Sequence, residues 1–370
     1  MYLCTQNFNY MHSTLIETLF FIGFTLLILG LLFLDLGVFE KKDRVVTFKR
    51  ALITTGIWVF IAVMFGVIVR FAGNQMHGIE DKQALTEITN KYHEKSIGKK
   101  VTAMPFEQAI NTYNKQLTLE YFTGYLIEYS LSVDNIFVMI LIFSSFCVPP
   151  QYYKRVLMWG ILGAIIMRFI FIFAAGALIQ KYEWVLAVFG IFLLYSAIDM
   201  YLKRNKKEEV HPEKNPIVKF CSKLFNVTPT IEDHSFCKRI DKKFFITPLL
   251  LCLIVIEFTD ILFAVDSIPA IFSVTKDPYI VFFSNIFAIL GLRSLFFLVS
   301  SVVRMFRYLK VGLSVLLAFI GVKMILECEP INIDIPTTLS LFIIIAILAI
   351  SILCSVIIPE KKNNTVEIKD

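Results

Sequence analysis

The sequence predicts an all-α, polytopic transmembrane protein with about nine membrane helices, six of which form an inverted repeat of two three-helix halves. Three observations predict this class. Hydrophobic residues make up 57% of the chain, and charged residues make up 18%. The polar residues are concentrated in a few blocks between long apolar runs. One acidic phrase also occurs twice inside such runs, as "EYSLSVDNIF" at 128–137 and "DILFAVDSIP" at 260–269.

Each apolar run is close to the length of about 20 residues that a helix needs to cross the bilayer core. The runs cover residues 15–38, 51–72, 119–146, 155–180, 184–202, 247–273, 279–303, 311–327 and 336–358. The first run follows a segment without a basic region and precedes no small-residue cleavage site. We therefore interpret it as a retained helix rather than a signal peptide.

The basic residues predict the orientation of the helices. Lys and Arg are concentrated in alternate loops, beginning with "EKKDRVVTFKR" and including the block 203–243. Because cytoplasmic loops carry the excess of Lys and Arg, the N-terminus is expected outside and the C-terminus in the cytoplasm of a bacterial inner membrane. Orientation signals of this kind explain the net charge of +6 without a nucleic-acid partner.

The repeat is predicted by positions that align at a constant offset. The aligned pairs are Glu128 with Asp260, Asp134 with Asp266, Arg168 with Arg293 and Asp199 with Lys323. Since each half has an odd number of helices, the second half enters the membrane from the opposite side. The division is 1–118 (two helices and an outside loop), 119–202 (first half), 203–246 (basic cytoplasmic linker), 247–327 (second half) and 328–370 (last helix and cytoplasmic tail).

Ionisable residues inside the apolar runs are candidates for function, because a charge at the bilayer centre costs about 2.5 kcal/mol or more. The acidic candidates are Glu128, Asp134, Asp199, Glu257, Asp260 and Asp266, and the basic ones are Arg168, Arg293 and Lys323. The acids outnumber the bases, and the surplus requires either protonation or a bound cation. The alternative is a set of buried salt bridges that binds no ligand.

The spacing of the acids predicts a broken helix. Residues six apart do not share a face of an unbroken helix, so Asp134 and Asp266 are expected to meet between the halves. Glu128, Glu257 and Asp260 would complete an oxygen cage. Pro269 removes a hydrogen bond from the Val265 carbonyl, which predicts a kink or unwound turn between about Ala264 and Pro269, with Asp266 at its edge.

The residue types in these runs favour a hard cation. The five histidines lie outside the apolar runs and are expected to be solvated, and the seven cysteines form no CxxC motif. Oxygen donors alone select Mn²⁺, Ca²⁺ or Mg²⁺ rather than zinc, copper or nickel. The chain has no Walker motif, so a proton gradient is the expected energy source.

Four phrases resemble the TerC/Alx family of integral membrane proteins: "EYSLSVDN", "PPQYYKRVLMWGILGAIIMR", "EFTDILFAVDSIPAI" and "SNIFAILGLR". The resemblance covers nearly the whole chain. It implies export of Mn²⁺ by inverted three-helix halves. Mn²⁺ would be the transported ion, and the resemblance implies no cofactor. The metal-handling residues that it implies are Glu128, Asp134, Asn135, Glu257, Asp260 and Asp266. The family usually carries Lys at both third-helix positions, and the chain departs from it at Asp199.

Two other functions are alternatives to transport. An intramembrane aspartyl protease would use two membrane Asp residues that share a proton. Such enzymes resemble a pattern with Gly two residues before one Asp, where this chain has Ser132 and Ala264. A redox or stress-modulating membrane protein is the other alternative, and it conflicts with the absence of closely spaced cysteines. The sequence leaves the oligomeric state open.

Overall fold

The computed structural model describes residues 22–28, 30–31, 46–182, 184–203, 215–228, 235–240, 243–302, 309–328, 331–333 and 335–357. Residues 22–28 and 30–31 are helical. The further helices are α1 (Phe48–Ala72), α2 (Lys82–Tyr92), α3 (Lys99–Ala103), α4 (Phe106–Ser145), α5 (Pro150–Lys181), α6 (Trp184–Lys203), α7 (Pro216–Leu224), α8 (Pro248–Phe272), α9 (Pro278–Leu290), α10 (Leu292–Val302), α11 (Leu309–Glu327) and α12 (Thr337–Ile357). The strands are β1 (Asn226–Val227), β2 (Cys237–Ile240) and β3 (Lys243–Ile246).

The predicted class, a polytopic helical membrane protein, is confirmed. Within the described ranges, α1, α4, α5, α6, α8 and α12 are long and apolar enough to cross a membrane, and α9 with α10 adds a seventh span if this bent pair is counted as one. The first predicted run, 15–38, lies largely outside the described residues. The count of nine helices, the inverted repeat and the division into domains stay predictions.

Apolar side chains on the outer faces of the helices are exposed. On α1, Phe60 and Phe71 are 64% and 78% exposed, while Ala62, Phe65 and Val69 are buried against the other helices. Contiguous apolar surface is rare on soluble monomers. The exposed faces therefore fit contact with lipid.

Helix α4 is longer than the predicted run 119–146. It has 40 residues, which correspond to a length of about 60 Å, twice the bilayer core. Its first turns belong to the segment 73–118, which the sequence predicted as a soluble loop. The rest of that segment folds into the 3₁₀ turn Gly73–His77, α2, the π-helical turn Glu94–Gly98 and α3. Buried apolar side chains, including Leu85 and Val101, join these elements to the core.

The predicted linker 203–246 contains more structure than the sequence indicated. It carries α7 and a three-stranded sheet of order β1-β3-β2, in which β1 pairs with β3 in parallel and β2 pairs with β3 antiparallel. Thr247 ends the sheet by donating hydrogen bonds from its backbone and its hydroxyl to the Phe236 carbonyl. The short sheet is an addition to a helical fold, and it leads directly into α8.

An unwound turn before Pro269, one of the two predicted forms, is wrong, and a kink there stays a prediction. Helix α8 is continuous through Pro269 and ends at Phe272. Pro269 lies in the last turn, so its missing N–H removes only one hydrogen bond from the helix. The C-terminal carbonyls are satisfied by bonds such as Ser273 N–H to the Pro269 oxygen at 3.0 Å. A sharp bend lies at Gly291, where α9 and α10 differ in direction by 47°.

Helices α6 and α11, the third helices of the predicted halves, approach each other at two glycines. A Cβ atom on Gly190 would lie 2.9 Å from the Gly321 oxygen, and one on Gly321 would lie 2.8 Å from the Gly190 oxygen. Glycine at such positions lets the backbones of membrane helices pack closely.

We therefore expect Gly321→Ala to force α6 and α11 apart. The free energy of unfolding should fall by about 1–3 kcal/mol, the usual cost of overpacking a tight contact. The measurement is the thermal midpoint of the purified protein in detergent. Gly56→Ala is the matched control, since nothing lies within 4 Å of a Cβ built there. A Gly321→Ala midpoint equal to that of the control would contradict this packing.

Candidate functional site

Arg168 of α5 is the centre of a buried polar group that joins both acidic phrases. Its guanidinium donates to Glu128 of α4, and its Nη2 and Nε atoms donate to the Asp260 carboxylate of α8 at 3.1 and 3.3 Å. Nη1 also donates to the Asn285 side-chain oxygen on α9 at 2.9 Å. Arg168 and Glu128 are each 1% exposed or less. Paired hydrogen bonds are what allow such charges to be buried.

Asn285 closes this group, which we call the Arg168 cluster: Arg168, Glu128, Asp260 and Asn285. Its side-chain nitrogen donates to Glu128 Oε2 at 3.1 Å, so both carboxylate oxygens of Glu128 accept hydrogen bonds. Glu128 and Asp260 are the first acids of the two repeated phrases. The structure thus brings these two aligned positions together at one arginine.

Glu257 lies beside the Arg168 cluster. It is three residues before Asp260, so the two side chains are neighbours on α8. Glu257, Asp260 and Arg293 line a small cleft between α5, α8 and α10. Gly163 of α5 makes room for this acid, because a Cβ at Gly163 would overlap the Glu257 carboxylate. A third carboxylate and a second arginine therefore lie next to the cluster.

The predicted meeting of Asp134 with Asp266 is wrong, because α4 and α8 run antiparallel. The C-terminal half of α4, with Ile136 and Met139, packs against the N-terminal half of α8, with Cys252. Glu128 and Asp260 are at the same level. Six further residues displace Asp134 and Asp266 by about 9 Å each in opposite directions, or about 18 Å in total.

The sequence had predicted an oxygen cage around one point. Among the described residues, no group of three or more His, Cys, Asp or Glu side chains is placed to hold a single metal ion. The guanidinium of Arg168 lies between the carboxylates of Glu128 and Asp260 instead. Asp266 accepts a hydrogen bond from the Ser196 hydroxyl of α6 at 2.8 Å, and Asp134 and Asn135 are buried within α4. The acids therefore lie at successive levels along the bundle rather than around one point.

The predicted charge-balancing residues separate into three locations. Asp199 is on the exposed side of α6, paired with Lys203 at 2.7 Å, and does not reach the cluster. Lys323 of α11 is buried and donates to the Ser273 oxygen at 2.6 Å, near the end of α8. Arg168 and Arg293 are at or beside the carboxylates. Lys323 therefore lies at a different level of the bundle from Arg168 and Arg293.

A second buried group was missed by the sequence reasoning: His77, Asp277, His93 and Glu120, here named the histidine–carboxylate cluster. His77 Nε2 lies 2.8 Å from Asp277 Oδ2, and His93 Nδ1 lies 3.1 Å from Glu120 Oε1. His93 Nε2 lies 3.9 Å from the same Asp277 oxygen. The expectation that these two histidines are solvated is wrong, since each is 2% exposed. No local spacing signals this group, because its members come from four separate elements.

The charges of this second cluster shift its ionisation. Burial lowers the pKa of His93, but the charge of Glu120 and the hydrogen bond to it have the opposite effect, and the net pKa is above the ordinary value. Burial raises the pKa of Asp277, but His77, His93 and the Tyr279 N–H hold the net pKa of that carboxyl below its usual range. Ion pairing between imidazolium and carboxylate is thus favoured.

Comparison with known proteins identifies the family. Residues 113–363 match the model of the integral membrane protein TerC family. A membrane protein of Myxococcus xanthus is 40% identical over 335 residues, 90% of this chain and 91% of its own. The putative membrane-bound redox modulator Alx of Photorhabdus laumondii is 36% identical over 92% of this chain and 95% of its own, and that of Salmonella typhi is 46% identical over 66% and 74%. No solved structure matches. The chain therefore belongs to the integral membrane protein TerC family.

Proposed function

We propose that this chain transports a divalent cation across the membrane and that its activity is the export of Mn²⁺ from the cell. The observation that carries the proposal is the buried pairing of Glu128 and Asp260 with Arg168. Two acidic phrases far apart in the sequence meet at one arginine inside membrane helices. Ionisable groups at such a depth are costly and are characteristic of ion pathways.

The charges of the Arg168 cluster support an exchange between the arginine and a cation. Glu128 and Asp260 carry two negative charges and Arg168 one positive charge, and Glu257 adds a third carboxylate one turn away. A divalent cation that displaced the guanidinium would meet carboxylate oxygens and the amide oxygen of Asn285. When the cation leaves, Arg168 would return to its hydrogen bonds with the two buried acids.

Asp134 and Asp266 support a path through this cluster. They lie on opposite sides of it along the bundle axis, each about 9 Å away along its own helix. On the orientation that the loop charges predict, Asp134 is on the cytoplasmic side and Asp266 on the outer side. The cation would pass from Asp134 to Glu128 and Asp260 and then to Asp266.

The donors along this path favour a hard cation. They are carboxylate, amide and hydroxyl oxygens, and neither His nor Cys side chains belong to the Arg168 cluster. Oxygen ligands suit Mn²⁺, Mg²⁺ and Ca²⁺. Export against an inside-negative potential requires energy, and carboxylates that exchange a cation for protons supply a route for proton coupling.

The test is cation uptake into inverted membrane vesicles that contain the protein. With the vesicle lumen acidic, Mn²⁺ should accumulate, and a protonophore should abolish the accumulation. Competition by Mg²⁺, Ca²⁺ and Zn²⁺ measures the selectivity, with Zn²⁺ expected to compete poorly. Equal Mn²⁺ uptake by vesicles with and without the protein would refute the proposal.

A further inference from the structure

The histidine–carboxylate cluster is connected to the Arg168 cluster by two helices that run in the same direction. On α4, Glu120 precedes Glu128 by eight residues, and Asp277, the N-cap residue of α9, precedes Asn285 by the same interval. Eight residues of helix span about 12 Å. Since Asn285 is hydrogen-bonded to Glu128 at 3.1 Å, α4 and α9 join the same two levels of the bundle.

The contact between these helices, here named the Gly124 and Ser284 seam, is tight. A polar group lies halfway along it between the two clusters. Gly124 is four residues from both Glu120 and Glu128, and thus lies between them on one side of α4. A Cβ on Gly124 would lie 2.8 Å from the Ser284 hydroxyl oxygen of α9. Gly124 has no side chain to separate this hydroxyl from the α4 backbone, and the hydroxyl itself donates to the Val281 carbonyl at 3.0 Å.

The other side of the histidine–carboxylate cluster faces a cavity of about 310 Å³. His93, Glu120 and Lys323 line its wall, and the exposed residues Asn90 and Glu94 lie at its rim. Glu120 Oε1 contacts His93 and accepts from Gln116 at 2.8 Å. Glu120 Oε2 is buried, and among the described residues it has no hydrogen-bond partner. An unsatisfied buried oxygen is uncommon in folded proteins and is a candidate acceptor for a proton.

We propose that the histidine–carboxylate cluster is a proton-binding site, through which protons from the outer cavity reach the Arg168 cluster. This inference rests on the proposed function, proton-coupled cation export. In the transfer step the His93 imidazolium gives its Nδ1 proton to the Glu120 carboxylate, leaving neutral imidazole and carboxylic acid. Once Glu120 has passed its proton on, a hydronium ion in the cavity that His93 and Glu120 both line returns a proton to the vacant Nδ1 atom and becomes water. Glu120 passes its proton along the Gly124 and Ser284 seam toward Glu128.

Several titratable groups face His93. Burial lowers the pKa of His93, the charges of Glu120 and Asp277 raise it, and the net pKa is above the ordinary histidine value. The titratable and charged groups around it are Glu120 and Tyr113 of α4, Asp277 of the turn between α8 and α9, His77, Tyr92 and, across the cavity, Lys91, Glu94, Lys276, Lys323 and Glu327. The carboxylates of Glu120 and Asp277 lie nearest to His93, so they stabilise its protonated form.

The experiment separates proton-driven transport from cation exchange in proteoliposomes with the full-length protein. Radioactive Mn²⁺ uptake is measured under a pH gradient, and then without a gradient against unlabelled Mn²⁺ inside. We expect His93→Gln and Ser284→Ala to lower proton-driven uptake by about tenfold or more, because a positioned proton-transfer group typically contributes about a hundredfold or more to a rate. Exchange, which needs no net proton movement, should stay within about twofold of wild type.

Glu94→Gln is the matched control, a carboxylate at the exposed rim of the same cavity, and it should transport normally in both modes. Proton-driven uptake at the wild-type level in His93→Gln would overturn the inference and leave the proposed function intact. Equal loss in both modes would also overturn it, since that result assigns the cluster to the fold. A wild-type protein inactive in both modes would refute the proposed function itself.

A second readout does not depend on transport. Because the folded pKa of His93 is raised, its ion pair with Glu120 stabilises the protein below the unfolded pKa, and this stability is lost as pH rises through the folded pKa. As pH rises above the ordinary histidine pKa of about 6.5, the thermal midpoint of wild type should fall more than that of His93→Gln. Parallel pH profiles would show that His93 does not bind a proton here.

Discussion

Asp134→Asn and Asp266→Asn are each expected to abolish Mn²⁺ export while the protein still inserts into the membrane. Asparagine has nearly the same volume as aspartate, so packing in α4 and α8 is retained, and the amide oxygen introduced by Asp266→Asn can still accept from the Ser196 hydroxyl. Removing one charged oxygen weakens a hard-cation path and its proton exchange, by at least about a hundredfold. The measurement is cellular Mn content and Mn²⁺ sensitivity in a strain that lacks its own exporters.

Asp199→Asn is the matched control for these substitutions. Asp199 is also an aspartate in a membrane helix, but it is on the exposed side of α6 with Lys203. The control variant should confer the same Mn²⁺ resistance as wild type. Full resistance from the Asp134→Asn, Asp266→Asn double variant would show that the two acids serve the fold alone, and that the path through the Arg168 cluster is wrong.

The Arg168 cluster could be anticipated from the sequence because a charge inside an apolar run is visible without any structure. Glu128 and Asp260 were aligned as equivalent positions, and both contact Arg168. The same reasoning failed for Asp134 and Asp266, which were expected to meet. On two antiparallel helices, residues that follow an aligned pair move away from each other in opposite directions. Only the first acids of the two phrases therefore meet.

The histidine–carboxylate cluster could not be predicted, because its partners are distant in the sequence. His77 and Asp277 are 200 residues apart. The rule that histidines outside apolar runs are solvated failed because the segment after α1 folds over the ends of α4 and α9. The predicted unwound turn also failed, because Pro269 is accommodated in the last turn of α8, and the bend at Gly291 has no proline to signal it.

Arg168→Leu is expected to destabilise the protein more than any other single change in the cluster. It leaves Glu128 and Asp260 buried without their counter-charge, and breaking a buried ion pair on one side costs about 3–5 kcal/mol. Both acids should then take up protons or draw water into the bundle. The thermal midpoint in detergent measures the loss of stability, and vesicle uptake measures the loss of transport.

The triple variant Arg168→Leu, Glu128→Gln, Asp260→Asn separates the two roles of the cluster. With no buried charge left, it should recover most of the stability that Arg168→Leu loses, because neutral replacements of a buried ion network are often tolerated. Transport should stay absent, since the carboxylates that would bind the cation are gone. If the triple variant still exported Mn²⁺, the cluster would be a structural salt bridge, and the cation path would have to be sought elsewhere among the buried acids.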